Sequence, residues 1–401
     1  MKENYDIAII GGGLTGLTTA LALSSLNYKI ALVDPKPLLF DENKNPDNRT
    51  TSLSSGSVDF FKKIGAWKSL AIHSCPIKKI LVEESSSKIS SYFKSSSEDL
   101  NTMGYMIENR NFFKTLIDLA KKNKLIIKYD DKLVNFISKR DKVSIELNYN
   151  KSFDTKLVIG ADGKYSNLRR LANIDFSYKN YNQKAFTFNV QHEKKHNNLA
   201  IEKFLEEGPL AILPINGKKK NYFSSIVWSC NHPTYYSYLN KSDKIIEDLI
   251  QNYFKSSYGK INIISKVVSW DLSLTHSKRY TCHRLLLLGD AAHSIHPLAG
   301  QGFNLTIRGI KKLYTYGQRE RKLTKDLGKK KYLFNYSMKH FLDASALIFV
   351  TDNLNFLFSN SNFILKRLRN TGLSIFAKSN FLNKLFKSYA TKGSLLFLKD
   401  L

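Results

Sequence analysis

Gly11, Gly13 and Gly16 form a Gly-x-Gly-x-x-Gly run between an apolar stretch and one with helical spacing. Glycines in that place allow a tight turn and a close backbone approach to a pyrophosphate. The helix that follows presents free N–H groups and partial positive charge to it. Asp34 comes 18 residues after Gly16, at the end of the next apolar stretch. An acid there accepts hydrogen bonds from ribose hydroxyls and disfavours a 2′-phosphate. Glycines alone are a weak signal. Strand, glycines, helix, strand and acid in register predict a dinucleotide site.

Two further glycine-flanked acids lie far along the chain. Gly160-Ala161-Asp162-Gly163, with Ser166 and Arg169, ends an apolar strand and reads equally as an ordinary strand–turn–helix junction. Gly289-Asp290-Ala291-Ala292-His293 is richer, because His296-Pro297-Leu298-Ala299-Gly300-Gln301-Gly302-Phe303-Asn304 follows it. Asp290 is placed to hold a sugar-chain hydroxyl or approach a phosphate. Gly300 and Gly302 open a helix whose N–H groups can stabilise negative charge on a flat ring. His293 and His296 have a metal-ligand spacing, but no third ligand with sensible spacing accompanies them. They read as packing or hydrogen-bonding groups, with no metal.

The elements that must position these residues are legible in the hydrophobic pattern. Strands are predicted over 5–10, 29–33, 157–159 and 285–288, and helices over 14–26, 54–64 and 111–122. Residues 125–148 read as short strands with polar turns. From 176 to 274 aromatic and polar residues alternate, which predicts an antiparallel sheet with one covered face. The tail from about 326 reads as helical. The predicted fold is α/β: a Rossmann-like dinucleotide-binding domain in three pieces, 1–72, 100–175 and 275–325. An antiparallel β-sheet substrate domain, 73–99 and 176–274, is inserted, and C-terminal helices occupy 326–401.

The 401 residues carry 42% hydrophobic and 12% aromatic side chains, too much for a disordered or fibrous chain. Three cysteines (Cys75, Cys230, Cys282) form neither a disulfide framework nor a zinc site. Net charge is +28, yet only 12 of the 62 basic residues are Arg, and Lys is spread along the whole chain. Nucleic-acid readers favour Arg forks on a clustered basic face, so no nucleic-acid partner is expected. Weak attraction to an anionic membrane surface remains compatible with this charge. The uncharged run 7–28 is interrupted by glycine, Thr and Ser, and Lys2, Glu3 and Asp6 before it are not a positive n-region. No span or export signal is expected. The expected place is cytoplasmic, with peripheral contact at the inner face of the cell membrane.

Taken together these motifs resemble the class A flavoprotein monooxygenases, specifically the ubiquinone-biosynthesis hydroxylases, over nearly the whole chain. The likeness rests on the glycine run and on Asp47-Asn48-Arg49-Thr50-Thr51-Ser52-Leu53-Ser54. Ile64-Gly65-Ala66-Trp67, Glu202 through Pro214 and Val227-Trp228 add to it, and His293 through Gly302 is its most specific part. It implies a fold like that of p-hydroxybenzoate hydroxylase, with FAD as the dinucleotide and NADH or NADPH as electron donor. It also implies hydroxylation of a polyprenylated phenol by O2 through a flavin C4a-hydroperoxide. Position by position, Gly11, Gly13 and Gly16 would hold the pyrophosphate and Asp34 the AMP ribose. Arg49 and Arg110 would lie along the ribityl-pyrophosphate arm. Asp162 and Gly163 would belong to a second nucleotide motif, and Asp290 would bind the ribityl chain. Pro297, Gly300, Gln301 and Gly302 would flank the isoalloxazine. The resemblance names no catalytic residue. The chain departs from the family at Thr306, in place of a small residue, and at Gly309, which removes a helix-face carboxylate. An alternative on the same fold is a reductase of an isoprenoid lipid, but the long His296-to-Asn304 block favours the hydroxylase; outside enzymes, a Lys-rich membrane- or nucleic-acid-binding protein is the third reading, and it predicts no bound flavin and a steep salt dependence.

Two features carry more than one reading. Phe186, Phe188, Phe204, Tyr222, Phe223 and Trp228 either line a pocket for an aromatic polyprenyl substrate or form plain sheet core, the reading favoured for each. Phe381, Leu382, Leu385, Phe386 and Tyr389 share one helical face, interleaved with Lys378, Lys384 and Lys387. Such a helix lies on a membrane, docks another ubiquinone-biosynthesis protein, or packs on its own core.

Overall fold

Burial of short β-branched runs decides the architecture. The computed structural model describes residues 3–39, 47–84, 90–94, 102–217, 221–239 and 241–358. The strand Asn4–Ile10 lies at the centre of an eight-stranded sheet, and Ile7, Ala8 and Ile9 are almost wholly buried. It pairs in parallel with Ile30–Val33 on one side and Ser152–Gly160 on the other. Ser152–Gly160 in turn pairs in parallel with Leu285–Leu287. Parallel strands with both faces covered read as continuous apolar runs, and each fully buried Ile, Leu or Val contributes about 1.5–3 kcal/mol. The helices Leu14–Ser24 and Gly302–Glu320 pack on this sheet, where Tyr28 donates to the Gly317 carbonyl at 3.1 Å.

The second sheet has nine strands. Phe176–His192 runs between Tyr222–Asn231 and Val268–Ser277, and Gly208–Ile215 and Leu199–Leu205 extend it. It departs from the expected antiparallel order at one place. Lys79–Glu84 pairs with Leu199–Leu205 in parallel, because this strand enters from the earlier crossing segment rather than by a hairpin. The expected boundary at 274/275 falls within the strand Val268–Ser277, and His293–Ser294 pairs with that strand. The two sheets are therefore stitched together just where the third motif begins.

One face of the second sheet is closed by the helices His232–Leu239 and Asp243–Tyr258, over a core that includes Phe188, Ile226, Trp228 and Phe254. A three-stranded sheet of Thr50–Ser54, Gly104–Glu108 and Ser74–Ile77 bridges the two larger ones. The helix Lys330–Phe358 ends the described chain, so the expected Phe381–Tyr389 face lies outside the described residues. Among the described residues no helix is long and apolar enough to cross a membrane.

Candidate functional site

Strand register brings the three glycine–acid motifs to one edge. Ile10 lies opposite both Gly160 and Val33, and Gly160 lies opposite Leu287. The residues that follow continue the stair. Gly11 N–H donates to Val33 at 2.8 Å, Ala161 N–H to Ile10 at 2.7 Å, and Leu288 N–H to Gly160 at 2.8 Å. Gly11, Asp34, Ala161 and Gly289 thus cluster at the carboxyl ends of parallel strands, where open α/β sheets bind ligands.

The glycines differ in what they do there. Gly11 has φ +109°, and a Cβ on it would stand 2.3 Å from the Ala161 carbonyl oxygen. A Cβ on Gly16 would stand 1.8 Å from the Gly11 carbonyl oxygen. These two let backbone segments touch. Gly13, at the N-terminus of the helix Leu14–Ser24, is exposed, and a Cβ there would meet nothing within 4 Å. Gly163 faces equally open space. Gly289, at φ +59°, lies against Thr15 and locks the third motif to the first. Open room above a bare helix N-terminus suits the pyrophosphate of FAD, so the residues present fit that cofactor.

The acids have separate duties. Asp34 Oδ2 accepts from the Gly12 N–H at 2.7 Å, and its Oδ1 from Lys36 N–H at 2.8 Å. Asp162 turns to its own helix, accepting from the Ser166 hydroxyl and, at 3.0 Å, from the Leu168 N–H. It is therefore a turn and helix-start residue and does not reach the main cavity. Asp290 does. Burial raises its carboxyl pKa, while Arg49 and Lys164 pull it down.

That cavity, about 710 Å³, lies between the motif edge and the second sheet. Arg49, Asp290, Pro297, Gly300 and Gln301 line it, so five of the expected residues converge. Arg49 pairs with Asp47 at 2.7 Å and lies 4.4 Å over the Trp270 ring. Arg110 pairs instead with Glu108 at 3.0 Å and is not on the cavity wall. Gly302 starts the helix Gly302–Glu320 just behind it. Asn304 staples the loop in place. Its Oδ1 accepts from Ser54 N–H at 2.9 Å, and its amide donates to the Ser52 and Gly300 carbonyls at 2.9 and 3.2 Å.

The opposite wall decides between the two readings of the aromatics. Period-2 alternation points Ala185, Thr187, Val227 and Ser229 into the cavity and sends Phe186, Phe188 and Trp228 to the helix-covered face. Phe186 stacks on Trp228 and Tyr235, with centroids 5.7 and 5.1 Å apart. Phe204 packs with Leu298 in a separate cluster, and neither Tyr222 nor Phe223 lines the cavity. Phe186, Phe188, Phe204 and Trp228 are core, Tyr222 and Phe223 are half-buried off the cavity, and small residues leave the room.

His296 Nε2 meets Gln183 Oε1 at 3.1 Å, and its Nδ1 accepts from Leu298 N–H at 3.2 Å. The ring is therefore neutral with its proton on Nε2, and burial holds its pKa at about 4. His293 faces His340 with Nε2 atoms 3.2 Å apart. Thr306 is buried and donates to the Gly302 carbonyl at 3.3 Å. Opposite Gly309, His340 and Tyr336 of the last helix occupy the space a side chain would need. On the same helix Asp343 takes Arg308 at 3.0 Å and Lys312 at 2.8 Å, tying it to the helix Gly302–Glu320.

Sequence reasoning missed four parts of the cavity wall: Lys164, Trp270, Glu202 as a site residue, and the stretch of the last helix bearing Leu347, Thr351 and Leu354. Glu202 stands at the head of the Glu202-to-Pro214 segment without a role assigned to it, and local motif signals mark none of the others.

A family profile described as FAD binding domain matches residues 4–316. The chain is 30% identical over 389 residues to ubiquinone hydroxylase UbiL of Rhodospirillum rubrum, covering 96% of this chain and 89% of that protein. It is 27% identical to the 3-demethoxyubiquinol 3-hydroxylase of Escherichia coli, covering 97% and 99%. Its fold is similar to that of PqsL, a probable FAD-dependent monooxygenase from Pseudomonas aeruginosa. That likeness has TM-score 0.76 at 16% identity and covers 93% of this chain and 100% of that one.

Proposed function

This chain belongs to the FAD-binding family, among the ubiquinone-biosynthesis hydroxylases, and is an FAD-dependent monooxygenase; from that premise we propose that its substrate is a polyprenylated phenol whose ring enters the 710 Å³ cavity. The supporting observation is the division of that cavity. The motif edge and Arg49, Asp290 and Gln301 form one side, and a largely apolar sheet face with Leu347 and Leu354 forms the other. Such a chamber suits an oily aromatic molecule held over a polar ring edge.

When bound, FAD supplies the two-electron chemistry that activates O2. The chain's own residues hold and shield. Gly11, Gly13 and Gly16 admit the pyrophosphate to the helix N-terminus. Asp34 would face the adenosine ribose of bound FAD, and Asp290 the ribityl chain. Pro297, Gly300 and Gln301 line the ring side, and the small residues of the sheet leave space for the substrate. Apolar walls exclude water, which protects reactive oxygen species from wasteful decay. Overall, one oxygen atom of O2 enters the ring and the other leaves as water, with NADH or NADPH supplying two electrons.

A lipid-facing position is part of the same proposal. Phe334, Met338, Leu342, Phe349 and Phe356 are exposed and share one face of the last described helix, whose other face lines the cavity. Net charge of +28 favours an anionic surface. The decisive experiment supplies the FAD-loaded protein with NADH or NADPH, a prenylated phenol and ¹⁸O2. One ¹⁸O atom in the product ring is expected. Nicotinamide oxidation with a reduced, oxygen-free product would overturn the reading in favour of a reductase.

A further inference from the structure

Glu202 stands out because the chemistry so far gives it nothing to do. It lies on the strand Leu199–Leu205, opposite Ala211 on one neighbouring strand and Val82 on the other. Its same-face neighbours are Ala200, Ile80, Pro209 and Leu213, and with Val82 and Ala211 all of them line the cavity. A carboxylate among six apolar side chains is costly to ionise without a partner. Among the described residues Glu202 makes no hydrogen bond or ion pair, and burial pushes its carboxyl up to about 7.

The other ionisable groups of the cavity wall are accounted for. Arg49 pairs with Asp47, and Asp271 pairs with Lys184 at 2.9 Å. Lys164 donates to the Ser273 hydroxyl, and Asp290 feels both Arg49 and Lys164. Lys203 and Glu83, beside Glu202 in the sheet, pair with each other on its opposite face. Glu202 is the carboxylate of the cavity that no cation compensates. Its surroundings offer an apolar ligand one polar contact.

We propose that Glu202 is a catalytic residue: its carboxylate receives the hydroxyl of the phenolic substrate and takes its proton, so that the ring to be hydroxylated is held as the electron-rich phenolate. The phenolic O–H bond breaks and a carboxyl O–H bond forms, and the proton returns to the product oxygen on release. This assignment rests on the reading of the substrate as a prenylated phenol. It also explains why an acid sits on a wall otherwise built for hydrocarbon.

The test uses the FAD-loaded enzyme, 2-geranylphenol and its O-methyl ether as probes, and the variants Glu202→Gln and Glu202→Leu. Flavin content and absorbance establish that each variant is folded and loaded. Binding is read from the flavin absorbance change on titration. The wild type should bind the phenol at least about tenfold tighter than the ether, and Glu202→Leu should lose that preference. Glu202→Gln should keep KM while kcat falls roughly a hundredfold. The wild-type rate should rise with pH through about 7, a limb missing in Glu202→Gln. Hydroxylation by both variants within about twofold of wild type, with the same phenol-to-ether preference, would overturn the role of Glu202 alone. Absence of hydroxylated product from the wild type itself would overturn the phenol reading and this role with it.

Discussion

Asp34 Oδ2 and the Gly12 backbone N–H meet at 2.7 Å, so the acid that ends one strand pins the glycine turn that ends its neighbour. The same acid is also a clamp on its own turn, because its second oxygen holds Lys36 N–H at 2.8 Å; the proposed ribose contact would come on top of these bonds. Asp34→Ala should raise the FAD dissociation constant by about tenfold to a hundredfold, since hydrogen bonds to a charged group contribute about 1.5–3 kcal/mol. Flavin fluorescence titration measures it. An unchanged affinity would show that the acid serves the turn alone.

Gly13 and Gly16 should fail in different ways. Gly13→Ala meets no protein atom within 4 Å and has φ −75°, so the fold should persist while FAD affinity drops. Gly16→Ala forces a methyl group to 1.8 Å from the Gly11 carbonyl oxygen and should yield little folded protein. Circular dichroism beside flavin content separates the two outcomes.

Acid should weaken the protein through its buried histidines. His296, at about 4, is depressed by burial below the usual histidine value near 6.5. A group with a depressed folded pKa contributes stability that is complete above its unfolded pKa and is lost as pH falls toward the folded one. Melting temperature should therefore decline between about pH 6.5 and 4. His296→Gln should flatten that slope, which differential scanning calorimetry would show.

The apolar stripe on the last described helix predicts lipid binding. Leu342→Asp with Phe349→Asp, both at exposed positions, should cut co-sedimentation with phosphatidylglycerol vesicles at least about fivefold and leave FAD content unchanged. Equal sedimentation of variant and wild type would remove the stripe from the membrane argument.

How much of this was legible beforehand depended on how local each signal was. The first βαβ unit announces itself within its own 4–33 stretch and the His296-to-Asn304 block within nine residues, and the strand register then does the rest by aligning Ile10, Gly160 and Leu287. The aromatic alternation revealed a sheet but not which face met the cavity, because a period of two is the same read from either side. Phe186 and Thr187 are neighbours in sequence, and only the helices over one face decide between them. Glu202 opens the Glu202-to-Pro214 segment that marked the family, but nothing in that segment told a cavity carboxylate from an ordinary strand residue. Arg110 pairs with Glu108 and stands off the cavity wall, a placement that no local signal announces.

Gly309 is a notch filled from elsewhere: a Cβ on it would fall 2.6 Å from His340 Nε2 and 2.9 Å from the Tyr336 hydroxyl. The two helices are thus fitted to each other at this point. A side chain placed at 309 collides with the ring at 340, and removal of that ring leaves a hole above 309. A substitution at either position is therefore felt at the other, and the joint accommodates a change of size only when both partners change together.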